Sequence, residues 1–516
     1  MSTITEIVEE KMKIFDSYLE YSNMDKKQYQ FDGVKWCLNN ELNSVDLSTI
    51  GDKKYAPSKT FVKGGFITDE MGLGKTIMMI GLMLCNPVQR TLIVLPPILI
   101  DQWVNQIYRT TGNKVLVYHG ANKKKITHDQ LITAPVVITT YGGITIAKNK
   151  LLSLKENPEH LTKLHTIPWS RIIFDEAHHL RNTTSRSKSV KLLNREICWL
   201  VSGTPIQNRQ TDFNNLCSIL KMPAKFYKNT KNLHFIRETF ILKRTKKQVG
   251  IIIPEKYNEK QIVNWNNSEE KELSEELHSW LRCPNMPPMR SDKYLCSILY
   301  SDKGPLPIYM RSRQLCVLPN LMKNAIEKLE SYCKNDPEHL EIINIDKYRK
   351  ALEQNSKMDA AIKKILERKD NGNGKIIFCH FREEMDTIKQ RLHDGGIEKI
   401  ATFDGRVNNK MRNTILTMQN DVLILQIQTG CEGLNLQENY NEVYFISPHW
   451  NPAIEEQAVA RCHRIGQKKE VFVFRFEMGN FTNDANTLEH YVDSVQIIKK
   501  KISEEILEPP PPTADE

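Results

Sequence analysis

Eleven consecutive residues, Phe66-Ile67-Thr68-Asp69-Glu70-Met71-Gly72-Leu73-Gly74-Lys75-Thr76, run from an apolar strand through a glycine turn into the apolar helical stretch Ile77–Leu84. A polyphosphate needs that order. Gly72 and Gly74 let backbone N–H groups turn inward, and the following helix offers its positive N-terminal end. Lys75 would bridge the β- and γ-phosphates, and Thr76 would place its hydroxyl on Mg²⁺. The general pattern G-x-x-x-x-G-K-[ST] is not met in full, because Asp69 sits where its first Gly should be. An ordinary strand–turn–helix corner is therefore the competing reading.

A second chemical signal follows in Arg171-Ile172-Ile173-Phe174-Asp175-Glu176-Ala177-His178, a buried strand ending in two acids. Asp175 is suited to hold Mg²⁺ and Glu176 to polarise an attacking water. Adjacent carboxylates repel and destabilise the fold unless a cation lies nearby. Alone, the pair reads as a solvated loop after a strand. Together with the glycine loop on one α/β unit, it reads as a magnesium–nucleotide site.

These residues need a parallel sheet to position them. Short, continuously apolar runs alternate with helical stretches from Phe61 to Gly203: Gly65–Thr68, Thr91–Leu95, Val115–Tyr118, Val136–Thr140, Arg171–Phe174 and Cys198–Ser202. Unbroken apolarity marks strands covered by helices on both faces. A second series begins at Lys375–Cys379 and continues through Ile400–Phe403, Val422–Gln426, Glu442–Ile446 and Glu470–Phe476. Between them, about Asn258 to Asn355, the chain is charged, Pro-punctuated and helical in pattern. Ile4–Leu19 is an expected opening helix. The expected division is 1–254 for a first α/β lobe with that helix, 255–355 for a helical insert, 356–505 for a second lobe and 506–516 for a disordered tail that includes Pro509–Glu516.

The 516 residues are 40% hydrophobic and 26% charged, which excludes a fully disordered or fibrous chain. Lys and Arg number 72 against 62 Asp and Glu, a net +10 that permits an anionic partner without demanding one. The eleven cysteines include no Cys-x-x-Cys pair, so zinc-finger, RING and thioredoxin motifs find no support. The N-terminus lacks a signal peptide's apolar core, and Ile77–Leu84 and Leu92–Ile100 are too short or Pro-broken to span a bilayer. A soluble intracellular protein is expected.

Asp175-Glu176-Ala177-His178 with Asp69–Thr76 resembles the DEAD/DEAH superfamily of helicase-like ATPases, and the remaining motifs resemble its Swi/Snf branch, the double-stranded DNA translocases. Tyr29–Trp36 looks like that branch's adenine-recognition motif, which implies that Gln30 reads the base. Leu95-Pro96-Pro97 with Gln102-Trp103, and Ile138-Thr139-Thr140-Tyr141, look like first-lobe DNA-contact motifs. Ser202–Asn208 matches the coupling motif, followed by the basic Leu242–Lys246. In the second lobe, Ile376–Phe381, Asp404-Gly405-Arg406, Gly430–Leu436, Trp450-Asn451-Pro452 and Gln457–Gln467 occur in family order. The match covers about Gln28 to Lys501.

The resemblance implies two RecA-like lobes, each a parallel sheet flanked by helices, that bind ATP and Mg²⁺ and act on double-stranded DNA through phosphate contacts. Gln30, Asp69, Glu70, Met71, Gly72, Leu73, Gly74, Lys75, Thr76, Asp175, Glu176, Ala177 and His178 would surround the nucleotide, with Thr76 and Asp175 on the metal. Lys75, Glu176, Gln457, Arg461 and Arg464 would be catalytic, the two arginines facing the γ-phosphate from the opposite lobe. Such fingers contribute roughly 10³–10⁵ in rate. Pro96, Thr140, Asn435 and Trp450 would contact DNA. Asp69 in place of the first Gly is the usual form in this branch. Thr429, Cys431 and Glu432 depart from its small-residue pattern, and Ser447 stands where an Asp commonly precedes Trp-Asn-Pro. The compact chain resembles stand-alone members, including those of large DNA viruses. A strand-separating helicase on DNA or RNA and an inactive nucleotide-binding scaffold are the alternatives.

Trp103 and Trp450 could instead be core anchors, and for Trp103 packing is favoured over nucleic-acid contact. The runs Lys123–Lys125 and Lys499–Lys501 read as solvated faces. His178 and His463 suit lobe-coupling hydrogen bonds rather than metal ligation. Arg313–Cys316 looks like a structural helix at the second lobe's entrance.

Overall fold

The computed structural model describes residues 3–50, 59–288, 306–334, 345–407, 411, 414–415, 417–427 and 434–508. Of the expected tail 506–516, Ile506 and Leu507 instead end the helix Leu488–Leu507 with buried side chains, while Pro509–Glu516 and the loop residues Thr429, Gly430, Cys431, Glu432 and Gly433 lie outside the described residues. The chain divides into two compact units, Met1–Ile252 joined by the chain from Lys499 on, and Ile253–Ile498.

In the first unit β1 (Val45–Asp46) pairs antiparallel with β2 (Phe61–Val62). A seven-stranded sheet follows: β3 (Gly64–Ile67), β4 (Thr91–Leu95), β5 (Leu116–Tyr118), β6 (Val136–Thr140), β7 (Trp169–Asp175), β8 (Arg195–Val201) and β9 (Ile241–Leu242). Its order is β5-β6-β4-β7-β8-β3-β9, and every pairing is parallel. Alternate residues explain the apolar runs. Leu92 and Val94 of β4 join one core with Ile172, Phe174 and Leu200, while Ile93 and Leu95 join the opposite core with Ile173, Trp199 and Val201. Both faces are buried, so both sets must be apolar.

The opening helix spans Ile4–Tyr21, started by a Thr3/Glu6 capping box. Val8, Met12, Phe15, Tyr18 and Leu19 bury one face against the helix Lys75–Cys85. A Cβ at Gly81 would collide with the Phe15 ring, so this contact needs glycine.

The second unit holds β10 (Lys256–Val263), β11 (Lys375–Cys379), β12 (Ile400–Phe403), β13 (Val422–Gln426), β14 (Glu442–Phe445) and β15 (Val471–Met478) in the order β10-β15-β14-β11-β13-β12. Again all pairings are parallel. The helices Ser268–His278, Leu306–Val317, Lys323–Lys334 and Ile345–Leu352 carry the helical pattern of the middle stretch. Its front differs from expectation. Lys256–Val263 is a strand, in register with Val471–Met478, so the second sheet recruits residues well ahead of position 356. β10 lies at the sheet edge with its first five residues exposed, and its polar Lys256, Asn258, Glu259 and Lys260 hide it from an apolar-run criterion.

Candidate nucleotide site

The phosphate loop joins β3 to the helix Lys75–Cys85. Gly72 (φ 93°) and Gly74 (φ 78°) both adopt left-handed backbone, and Gly74 caps the helix. Gly74 has a second reason to be glycine, because a Cβ there would clash with the Gln30 side-chain amide. Gln30 is buried on the helix Gln28–Leu42, and its Nε2 donates to the Leu73 carbonyl at 3.4 Å. The expected base reader thus backs the loop directly. Lys75 Nζ donates to the Asp69 and Glu70 carbonyls at 2.8 and 3.3 Å. Burial pushes this amine below its ordinary pKa, against the opposing pull of Glu176, Asp69 and Asp175. Thr76 is half-buried in the first turn of the helix.

Strand β7 delivers the two acids. Asp175 ends it, and Glu176 turns sharply away in left-handed backbone (φ 52°, ψ 50°), a strained conformation for a residue with a Cβ. Three donors hold Asp175. Trp103 Nε1 donates to Oδ2 at 2.7 Å, the Glu176 N–H to Oδ1 at 3.0 Å, and the Tyr141 hydroxyl to the Asp175 carbonyl at 2.7 Å. Burial raises the Asp175 carboxyl to about 6, the Glu176 charge adds to the rise, and the Trp103 donor opposes it. Glu176 Oε2 lies 3.2 Å from His178 Nδ1, which is also 3.3 Å from the Ser202 hydroxyl of the coupling motif. Ala177 and His178 are buried.

Among the described residues no group of three or more His, Cys, Asp or Glu could hold a metal unaided. The available donors, the Thr76 hydroxyl and the Asp175 carboxylate, are hard oxygens. They fit a cation such as Mg²⁺ that completes its shell with phosphate and water.

Asp69 and Glu70 serve the loop's shape. The fully buried Asp69 accepts from Arg244 Nε at 3.1 Å and Nη2 at 2.5 Å, while Arg244 Nη1 donates to the Tyr29 carbonyl. Glu70 pairs with Lys246 Nζ at 2.5 Å and accepts its backbone N–H at 2.8 Å. Asp69 therefore stands in the glycine's place because the segment after β9 grips it. Met71 lies against Gly203, where an added Cβ would approach Met71 Cγ at 3.0 Å. Leu73 is fully buried.

The expected first-lobe DNA contacts are less direct. Pro96 and Thr140 are buried, and the Thr140 hydroxyl accepts from Gly143 N at 3.3 Å as a helix cap. Their side chains shape loops rather than face solvent. Trp103 is 1% exposed and belongs to the core.

In the second unit Gln457 is buried on the helix Pro452–Val459, which leads into Arg461 and Arg464. Arg464 donates to the exposed Asn435 side chain, and the Arg461 carbonyl accepts from Leu436 N at 3.0 Å. Burial and the neighbouring Arg461 charge push the Arg464 guanidinium below its ordinary value. His463 Nε2 is 2.9 Å from the Pro254 carbonyl. Trp450 is partly buried between Tyr309 and Tyr491, ring centroids 6.1 and 6.2 Å away.

The sequence signal missed three partners of the site: Trp103 as a donor to Asp175, Arg244 as the ligand of Asp69, and Tyr141 as the donor to the Asp175 carbonyl. All three residues lie within motifs of the sequence. Their pairing is set by the fold rather than by sequence proximity.

Comparison with known proteins supplies the family. The SNF2-related domain pattern matches residues 29–321, and the helicase conserved C-terminal domain pattern matches residues 356–466. An uncharacterized ATP-dependent helicase of Mycoplasma pneumoniae is 27% identical over 527 residues, covering 97% of this chain and 44% of that protein. DNA repair protein RAD5B of Arabidopsis thaliana is 24% identical, covering 87% of this chain and 46% of that protein. The chain thus spans less than half the length of either relative. The Hef helicase domain of Pyrococcus furiosus shares the fold, with TM-score 0.50 and 17% identity over 81% of this chain and 93% of that one. Among the described residues no helix is long and apolar enough to cross a membrane. With a family pattern covering more than half of its residues and the phosphate loop and carboxylate pair in one unit, the chain belongs to the SNF2-related family of helicase-like ATPases.

Proposed function

We propose that the chain hydrolyses ATP with Mg²⁺ and couples hydrolysis to movement along double-stranded DNA. One arrangement carries the chemistry: Lys75, held on the Asp69 and Glu70 carbonyls of the phosphate loop, and the Asp175–Glu176 pair at the end of β7 belong to one unit, and both carboxylates attract the Lys75 amine. Lys75 would exchange its loop carbonyls for β- and γ-phosphate oxygens, and Gln30, already against the loop, would sense the base. Thr76 and Asp175 would hold the metal, which supplies charge neutralisation on the phosphates. Glu176 would orient the attacking water, its carboxylate steadied by His178. Arg461 and Arg464 are assigned to the γ-phosphate charge and Gln457 to holding their segment.

DNA as partner is supported by the name of the RAD5B relative and by the net charge of +10. Contacts are expected mostly to phosphates, near loops after Pro96 and Thr140 and around Asn435 and Trp450, hence salt-dependent and weakly sequence-specific. An intracellular setting agrees with free cysteines such as Cys37, Cys85 and Cys217, all buried thiols.

The test is phosphate release measured in parallel with double-stranded DNA, single-stranded DNA and RNA. Duplex DNA should stimulate most, and the absence of ATP turnover with every nucleic acid would reject the proposal. The helicase name of the Mycoplasma relative favours a second reading, strand separation. Unwinding of a forked duplex distinguishes it.

A further inference from the structure

We propose that Trp103 is a positioning residue of the nucleotide site, holding the Asp175 carboxylate in a fixed rotation through its indole N–H. This rests on the Mg²⁺–nucleotide reading above.

The contact is not an incidental feature of core packing. Trp103 packs its ring into the core formed with Ile93, Leu95 and Ile107, so any nearby carbonyl would have satisfied its single donor. Trp169 shows that alternative, with its N–H on the Leu164 backbone carbonyl at 2.9 Å. Trp103 Nε1 instead meets the Asp175 side chain at 2.7 Å, across 72 residues of sequence, and both groups are shielded from solvent.

Every oxygen of Asp175 has its own donor, each from a different element. The helix Ile100–Thr111 supplies Trp103 for Oδ2, the turn after β7 supplies the Glu176 N–H for Oδ1, and the residue following β6 supplies the Tyr141 hydroxyl for the carbonyl. A carboxylate with a donor on each oxygen cannot swing about its Cβ–Cγ bond without breaking one. Each oxygen still keeps a lone pair for a cation.

The chemical type of the donor also matters. A lysine or arginine in place of Trp103 would neutralise Asp175 and compete with a divalent cation for it. A neutral N–H fixes direction while leaving the full negative charge available, as outer-shell partners of metal ligands do.

The experiment titrates Mg²⁺ against binding of a fluorescent ADP analogue by the wild-type chain and Trp103→Phe, with parallel binding in EDTA. The expected result is an increase of about 10- to 100-fold in the Mg²⁺ concentration for half-maximal binding, with affinity in EDTA unchanged. A variant with wild-type Mg²⁺ dependence overturns the inference, and so does an equal loss with and without Mg²⁺, which marks Trp103 as packing alone. Replacement of Trp103 by benzothienylalanine, which exchanges the N–H for sulfur within the same ring outline, repeats the test should phenylalanine unfold the chain. Wild-type binding that ignores Mg²⁺ would reject the underlying metal reading as well. Wild-type dependence retained in both variants rejects only the role of Trp103.

Discussion

Arg244 holds Asp69 with two nitrogens of one guanidinium, Nε to Oδ1 at 3.1 Å and Nη2 to Oδ2 at 2.5 Å, and its remaining nitrogen reaches the Tyr29 carbonyl. One side chain thereby ties the phosphate loop to the first turn of the helix that carries Gln30. Removing the cation leaves a fully buried carboxylate without its charge partner, a loss of about 3 kcal/mol. Arg244→Gln should therefore lower the thermal midpoint of the first unit and raise the ATP concentration needed for binding. Arg244→Lys keeps the charge but not the fork, and should recover only part of either. Wild-type melting and ATP binding in Arg244→Gln would show that the clamp is dispensable.

Glu176 is held differently from its neighbour. Its backbone is left-handed and its carboxylate sits 3.2 Å from His178 Nδ1, while Asp175 receives the structural donors. That separation is the basis of the proposed division, in which Asp175 would hold the metal and Glu176 would activate water. Glu176→Gln should bind ATP as the wild type does and lose turnover by about 100-fold or more. Filter binding and phosphate release on the same preparation read the two steps separately. Near wild-type turnover would remove Glu176 from the mechanism.

The pH dependence should follow Asp175. In the folded chain, burial and the Glu176 charge raise its carboxyl from the ordinary 3.8 to about 6. The folded state therefore binds this proton more tightly than the unfolded state. The stability it contributes is complete below about pH 4 and is lost as pH rises through about 6. A divalent cation requires the ionised carboxylate, so Mg²⁺-dependent nucleotide binding should run the other way, weakening about tenfold per pH unit below about 6. Isothermal titration between pH 5 and 7.5 checks this. Asp175→Asn should flatten the profile, and an unchanged slope in that variant would place the titration elsewhere.

The sheet was legible in the sequence wherever a strand is buried on both faces. Thr91–Leu95, Val136–Thr140, Lys375–Cys379 and Val422–Gln426 read as unbroken apolar runs and are strands over those same residues. β10 escaped because an edge strand can expose Lys256, Glu259 and Lys260, and β9 because two residues carry no period. The site divides in the same way. Gly72, Gly74, Lys75, Asp175 and Glu176 announce themselves because their chemistry is local. The donors that hold them do not. Trp103 is 72 residues from Asp175 and Arg244 is 175 residues from Asp69, and only the order β4-β7 and β3-β9 within the sheet brings the flanking segments together. Thr140, which its motif position implies as a DNA contact, is buried with its hydroxyl accepting from Gly143 N as a helix cap.

Gly74 separates two constraints that a sequence pattern merges. Its φ of 78° is costly for any residue with a Cβ, by about 1–2 kcal/mol. Independently, a Cβ there would strike the Gln30 amide, which donates to Leu73. Gly74→Ala should therefore lose nucleotide binding through both effects. Adding Gln30→Ala relieves the collision but not the backbone strain, so the double variant should regain part of the binding that Gly74→Ala lost. Gln30→Ala alone should also weaken discrimination of ATP from GTP if the amide senses the base as well as backing the loop. Equilibrium binding of both nucleotides to the three variants tests this. Full recovery in the double variant would mean that the left-handed turn costs nothing, and no recovery would mean that Gln30 does not press on the loop.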